Sequence, residues 1–112
     1  MSDLHTIAQA ALESARVQEN GRHAEVIVAD GPLRQIVLAL VQGAALAEHN
    51  APPAASMQVL AGKVKITGVE SSIVSAGELQ PIPHQRHGVE ALEDSVFLLT
   101  TVTHAPAATS PA

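Results

Sequence analysis

The sequence predicts an all-β sandwich or barrel behind one short N-terminal α-helix. Three observations lead there. From His23 onward the chain breaks into short apolar runs punctuated by Gly or Pro, the pattern of strands and turns. Two of those runs, Ile36 to Val41 and Val96 to Val102, are apolar on both faces, so both sides of their sheet need cover. Only the first segment repeats its apolar residues at helical spacing.

The elements follow in order. Leu4, Ile7, Ala8, Ala11, Leu12 and Ala15 share one helix face, with Ser2 or Asp3 to cap its start and Asn20-Gly21 to end it. The face is small and alanine-rich, which suits close packing on another surface. "HAEVIVAD" alternates as a strand and stops at the Asp30-Gly31-Pro32 turn. "QIVLALVQG" and "AALAEH" follow, up to a break from Asn50 to Pro53. "SMQVLAG" and "KVKITG" flank Gly62-Lys63 and read as a hairpin. "SSIVSAGELQPIP" gives two short strands about Ala76-Gly77. "HGVEAL" and "SVFLLTTVT" complete the β region, and "HAPAATSPA" is small and Pro-rich, the composition of a flexible tail. One face of the two-sided strands would line the interior. The other would meet the N-terminal helix or a second subunit. This reading gives a helix at 1–20, one barrel domain at 21–103 and a tail at 104–112.

Composition narrows the function. The chain has 112 residues, the size of one ordinary domain, and 46% of them are hydrophobic. A net charge of −5 argues against nucleic acid and against an anionic membrane surface, both of which select basic patches. The absence of cysteine excludes disulfides, thiolate metal sites and a cysteine nucleophile. With one Phe and no Tyr or Trp, the chain lacks the aromatic faces that hold bases and flat rings. "MSDLHTIAQA" has no basic segment before an apolar core, and no apolar run reaches the roughly 20 residues that span a bilayer. The expected location is cytoplasmic.

Two spacings stand out. Gly43 is followed by five residues and His49, and Gly62 closes that stretch behind "QVL" and Ala61. Further on come Gly77, Pro83 and His87, then "VEALEDSVFLL". In these stretches the chain resembles a small single-domain cupin, over roughly Leu33 to Thr103. The resemblance implies a cupin double-stranded β-helix, a jelly-roll-like barrel of the RmlC type with a short N-terminal α-helix, and a homodimer. In that family two histidines and a glutamate of the first motif and a histidine of the second bind a metal. Here Ala51 and Ala55 stand at the second-histidine and glutamate positions, so only His49 and His87 carry over. Gln85 stands near an expected glycine, and the Pro-to-His spacing is one residue short.

Strand alternation then sorts the side chains. If His49 faces the interior, Ala45 and Ala47 share its face and Glu48 points away. Ala55, Met57 and Val59 face inward on the next strand, with Gln58 outward. After His87, Val89 and Ala91 face inward and Glu90 outward. His49, Met57 and His87 are the expected ligand-pocket residues, the two imidazoles facing one another across a strand cylinder whose wall has no carboxylate. His84, three residues before His87, adds a third nitrogen. His49, His84 and His87 are the candidate set for a divalent metal (Zn, Fe, Mn or Ni). Catalytic zinc usually has three protein ligands plus water, and non-haem iron takes two histidines and a carboxylate. A wall without carboxylates therefore favours no tightly held metal.

Without a metal, imidazoles can trade protons near neutral pH, which specifies no reaction. "AGKVK" is not a phosphate loop, and no Gly-x-Ser-x-Gly elbow occurs. Arg34 and Arg86 read as solvated cations, and His5, His23 and His104 carry no assigned role. Three functions stay open: a small-molecule binder without a tightly held metal, a metal-dependent dioxygenase or isomerase, and an interaction module with a vestigial pocket. The retained His49 and His87 favour the first.

Overall fold

A computed structural model of the chain describes residues 3–49 and 53–103, the side chain of His49 excepted. The expectations placed on Ser2, on Ala51, on most of the break after His49 and on the tail at 104–112 lie outside the described residues. The elements are α1 (Leu4–Arg16), β1 (Arg22–Asp30), β2 (Leu33–Leu40), β3 (Ala45–His49), β4 (Ala54–Ala61), β5 (Lys63–Gly68), β6 (Ser72–Ser75), β7 (Leu79–Pro81), β8 (His87–Ala91) and β9 (Ser95–Val102). They form a five-stranded sheet in the order β1-β2-β9-β4-β7 and a four-stranded sheet in the order β3-β8-β5-β6. Every pairing is antiparallel.

Asp3 caps α1. Its Oδ1 accepts from the N–H of His5 at 3.1 Å and of Thr6 at 3.4 Å, and the Thr6 hydroxyl donates to Oδ2 at 2.9 Å. These bonds, the Thr6 hydroxyl foremost, hold the Asp3 carboxyl below its ordinary value. The helix stops at Arg16, earlier than the expected Asn20-Gly21. Ala15 is the last residue it buries, and Val17 is 81% exposed, so nothing rewards a further turn. The Val17 and Gln18 N–H groups close onto the carbonyls of Ser14 and Ala15.

The two-sided apolar strands serve two cores. Between the sheets lie Leu38, Leu40, Met57, Val59, Val64, Ile66 and Phe97, with Val74, Ile82, Val89 and Ala91. Between α1 and the outer face of the five-stranded sheet lie Ala8, Ala11 and Ala15 against Val37, Ala39, Val96 and Leu98. Along β2 the alternation is direct: Val37 and Ala39 meet the helix, Leu38 and Leu40 meet the opposite sheet. Alanine on both surfaces lets the helix backbone lie close to the strands. A bulge between Val59 and Ala61 in β4 brings both Leu60 and Ala61 to the helix side.

The expected hairpin at Gly62-Lys63 does not form. β4 pairs with β9 and β7, whereas β5 pairs with β6 and β8 in the other sheet. The chain turns a corner there instead. Gly62 has φ +83°, and a Cβ on it would press on the Asp94 carbonyl, the Ser95 hydroxyl and, at 2.8 Å, the Ser95 Cα. The fully buried Ser95 Oγ accepts from the Lys63 N–H at 2.9 Å, which fixes the direction in which the chain leaves. Among the described residues no helix is long and apolar enough to cross a membrane.

Candidate functional site

His87 opens β8 and is 5% exposed. It shares the parity of Val89 and Ala91, both in the inter-sheet core, so it belongs to the inner face. Its Nδ1 stands 3.0 Å from the Gln85 carbonyl oxygen. A carbonyl only accepts, so Nδ1 carries the proton in the neutral ring and Nε2 is the acceptor nitrogen. The loop before β8 thus sets the tautomer of the His87 ring.

His49 is brought to this position by an irregularity. Leu46 pairs with Val89 and His49 with His87, so three steps along β3 match two along β8. The extra residue is a β-bulge, and it resets the alternation. Ala45 and Ala47 do not line the interior as strict alternation predicts. Both are exposed, and Leu46 packs on the core instead. Gly88 makes room for the bulge: a Cβ there would lie 2.7 Å from the Leu46 carbonyl oxygen, 3.0 Å from Thr67 Oγ1 and 3.2 Å from the Glu48 nitrogen. The Cα positions of His49 and His87 are direct neighbours on adjacent strands rather than opposed across the cylinder. The expectation about the His49 imidazole itself lies outside the described side chains.

The other expected residues are spread out. Met57 is fully buried in β4 on the opposite sheet, inward as its parity predicts, with Gln58 exposed. His84 is exposed in the bend before β8. Arg86 is exposed, with Nε 4.0 Å from Glu48 Oε1; both partners are more than half or about half solvated, and such a pair contributes little. Arg34 is also exposed. No resident metal set emerges from the described side chains: they contain no group of three histidine, cysteine or acidic residues that could hold a metal ion. Among the described residues the buried polar side chains are His87, Ser95 and Thr101, none of them a carboxylate.

One feature of the site was not foreseen. Gln80 stands opposite Met57 in the β4–β7 ladder, and its Nε2 donates to Ser72 Oγ at 2.7 Å, joining β7 to β6 across the two sheets. Together with Glu70, Pro83 and Gln85 they line a cleft of about 270 Å³. Gln85, whose carbonyl holds His87 Nδ1, is one of the residues lining the cleft, while His87 itself is not. The signal in the sequence is a lone amide at an inward position between Leu79 and Ile82. Its meaning depends on β6 and β7 lying in different sheets.

No protein-family model and no curated protein matches the chain. Solved structures do. A conserved protein of unknown function from Streptococcus pyogenes superposes with a TM-score of 0.70 at 25% identity, over 78% of each chain. An RmlC-like cupin protein from Desulfovibrio desulfuricans gives 0.65 at 20% identity, over 72% of this chain and 81% of that one. Salicylate 1,2-dioxygenase from Pseudoaminobacter salicylatoxidans gives 0.74 at 16% identity, over 87% of this chain and 33% of the larger enzyme. Two antiparallel sheets around one apolar interior, superposing on these structures over most of the described chain, make this protein a small cupin domain in fold.

Proposed function

We propose that the chain binds a small organic molecule at the mouth of the barrel, beside His87 and His49, without a tightly held metal. The observation that carries this reading is His87 itself. Burying an imidazole costs free energy unless its polar atoms are satisfied, and the Gln85 carbonyl satisfies Nδ1 and fixes the tautomer of the ring. The depth of the barrel is filled: Phe97, Leu40, Met57 and Ile66 are at most 1% exposed. A ligand therefore belongs at the mouth, in or next to the cleft of Ser72, Gln80 and Gln85. Amides and hydroxyls with one carboxylate, Glu70, suit an uncharged or cationic polar molecule better than an anion.

A panel of small polar metabolites screened by thermal shift tests the reading, with His87→Ala and Gln80→Ala run alongside. The expected result is a ligand whose stabilisation falls at least about tenfold in apparent affinity in both variants. Metal analysis of tag-free protein runs beside it. Stoichiometric Zn, Fe, Mn or Ni that disappears in His49→Ala would overturn the metal-free reading in favour of a metal-dependent enzyme. Ligands unaffected by either substitution would place binding elsewhere.

A further inference from the structure

The Asn20-Gly21 step does not end α1, and it has no part in the proposed ligand site. It joins the helix to β1. Asn20 is exposed and Gly21 is buried. Gly21 has φ +69°, and a Cβ on it would lie 2.6 Å from Val41 Cγ2 and 3.3 Å from Ala44 Cβ. Its N–H donates to the Gln18 carbonyl at 3.0 Å, and its own carbonyl accepts from the Val41 N–H at 3.0 Å. The Asn20 side chain closes an Asx turn, with Oδ1 accepting from the Arg22 N–H at 3.0 Å.

An asparagine before glycine is open to attack by the backbone on its own side chain, because no Cβ on the next residue shields the nitrogen. We propose that Asn20 is a site of spontaneous deamidation, and that the fold gates the reaction through the turn between α1 and β1. In the reaction Gly21 N gives up its proton to solvent base and bonds to Asn20 Cγ. The Cγ–Nδ2 bond breaks and ammonia leaves. Water then opens the cyclic imide at either carbonyl, leaving aspartate or isoaspartate; nothing is oxidised or reduced. In the folded chain the attacking nitrogen is engaged, since its proton lies in the bond to Gln18. The side chain is held on the next N–H along, that of Arg22. Both bonds must open before the nitrogen can reach Cγ. The product does not settle back in the same way. Isoaspartate adds a carbon to the main chain just ahead of Gly21, and the close approach of Val41 and Ala44 leaves no slack for it. Asn20 thus records covalently how often the turn opens, and a chain that has reacted is held less firmly there. The reaction is independent of the proposed ligand site.

The full chain has two asparagines, and the other, Asn50, precedes alanine. Trypsin isolates Asn20 in the peptide Val17 to Arg22 and Asn50 in the peptide Gln35 to Lys63. The full-length protein is incubated at mildly alkaline pH, folded and in concentrated urea, and the exchange of amide for acid is read by mass in each peptide. In urea Asn20 is expected to react well ahead of Asn50. In the fold it is expected to react at least about tenfold more slowly than in urea. Ala15→Gly, which weakens the last helical turn, is expected to speed the folded reaction about fivefold and to leave the urea rate unchanged. Arg16→Ala is expected to speed it less, since it removes only the solvated tie to Asp94. The isoaspartate form, purified by ion exchange, is expected to unfold at a lower urea midpoint than the intact chain. Equal rates folded and in urea, Asn50 reacting first in urea, a folded rate indifferent to both substitutions, or an unchanged midpoint in the isoaspartate form would each overturn the proposal. If Ala15→Gly does not fold, the Arg16→Ala rate and the comparison with urea still decide it.

Discussion

At position 88 the chain has room for no side chain, and the register of the two motif histidines depends on it. The Leu46 carbonyl and the Glu48 nitrogen cross so close over Gly88 that any Cβ would have to push the β3 bulge away. Gly88→Val is expected to destabilise the fold by about 1–3 kcal/mol, the usual range for overpacking, read as a lower urea midpoint at unchanged slope. If the bulge is what sets His49 beside His87, the variant should also lose ligand stabilisation beyond its cost in stability. Wild-type stability in Gly88→Val would show that the bulge has space the structure does not assign to it. The parity of His87, Val89 and Ala91 was legible from alternation alone. The position of His49 was not, because the bulge that shifts it is answered by a glycine about forty residues away in sequence.

Among the elements, α1 is tied to the barrel by packing and by one carboxylate. Asp94 Oδ1 accepts from the Gln42 N–H at 2.8 Å and Oδ2 from Arg16 Nη2 at 3.2 Å. The Gln42 N–H foremost, and then the Arg16 guanidinium, hold the Asp94 carboxyl below its ordinary value of 3.8. A carboxyl depressed in the folded state contributes stability above its unfolded value and loses it as the pH falls through the folded one. The Arg16 and Asp94 side chains are 51% and 41% exposed, so solvent screening keeps the contribution on the order of 0.5–1 kcal/mol. Acid titration of unfolding is expected to show this loss below pH 3.8, and Asp94→Asn, which can still accept from Gln42, to flatten that limb. An identical acid limb in the variant would remove Asp94 from the account. The helix itself was legible from its alanine face, but its end was not. Asn20-Gly21 is a strong local stop signal, whereas the real end follows the last alanine that meets the sheet.

For the molecule as a whole, two cores share the same central strands. Val37 and Leu38 sit side by side in β2 but serve opposite faces, as do Val96 and Phe97 in β9. Loss of either core exposes the other, so one cooperative transition is expected, with the helical signal at 222 nm and hydrogen exchange of β2 and β9 amides following the same denaturant curve. Early melting of the helical signal would mean that α1 docks as a separate unit. Cooperativity of this kind leaves the deep interior rigid and full, which is why the proposed ligand site lies at the mouth.

The sequence by itself determined the strand-rich architecture, the docking helix, the cupin resemblance and the poverty of the interior in acidic groups. These depend on period, composition and spacing, all of which are local. Tertiary structure decided which strands share a sheet, that the apparent hairpin at Gly62 is a corner, how a bulge sets His49 beside His87, and that Gln80 reaches Ser72 across the barrel mouth. Those outcomes come from contacts between residues distant along the chain, where packing and backbone hydrogen bonding override what a turn residue or a strict alternation would choose alone.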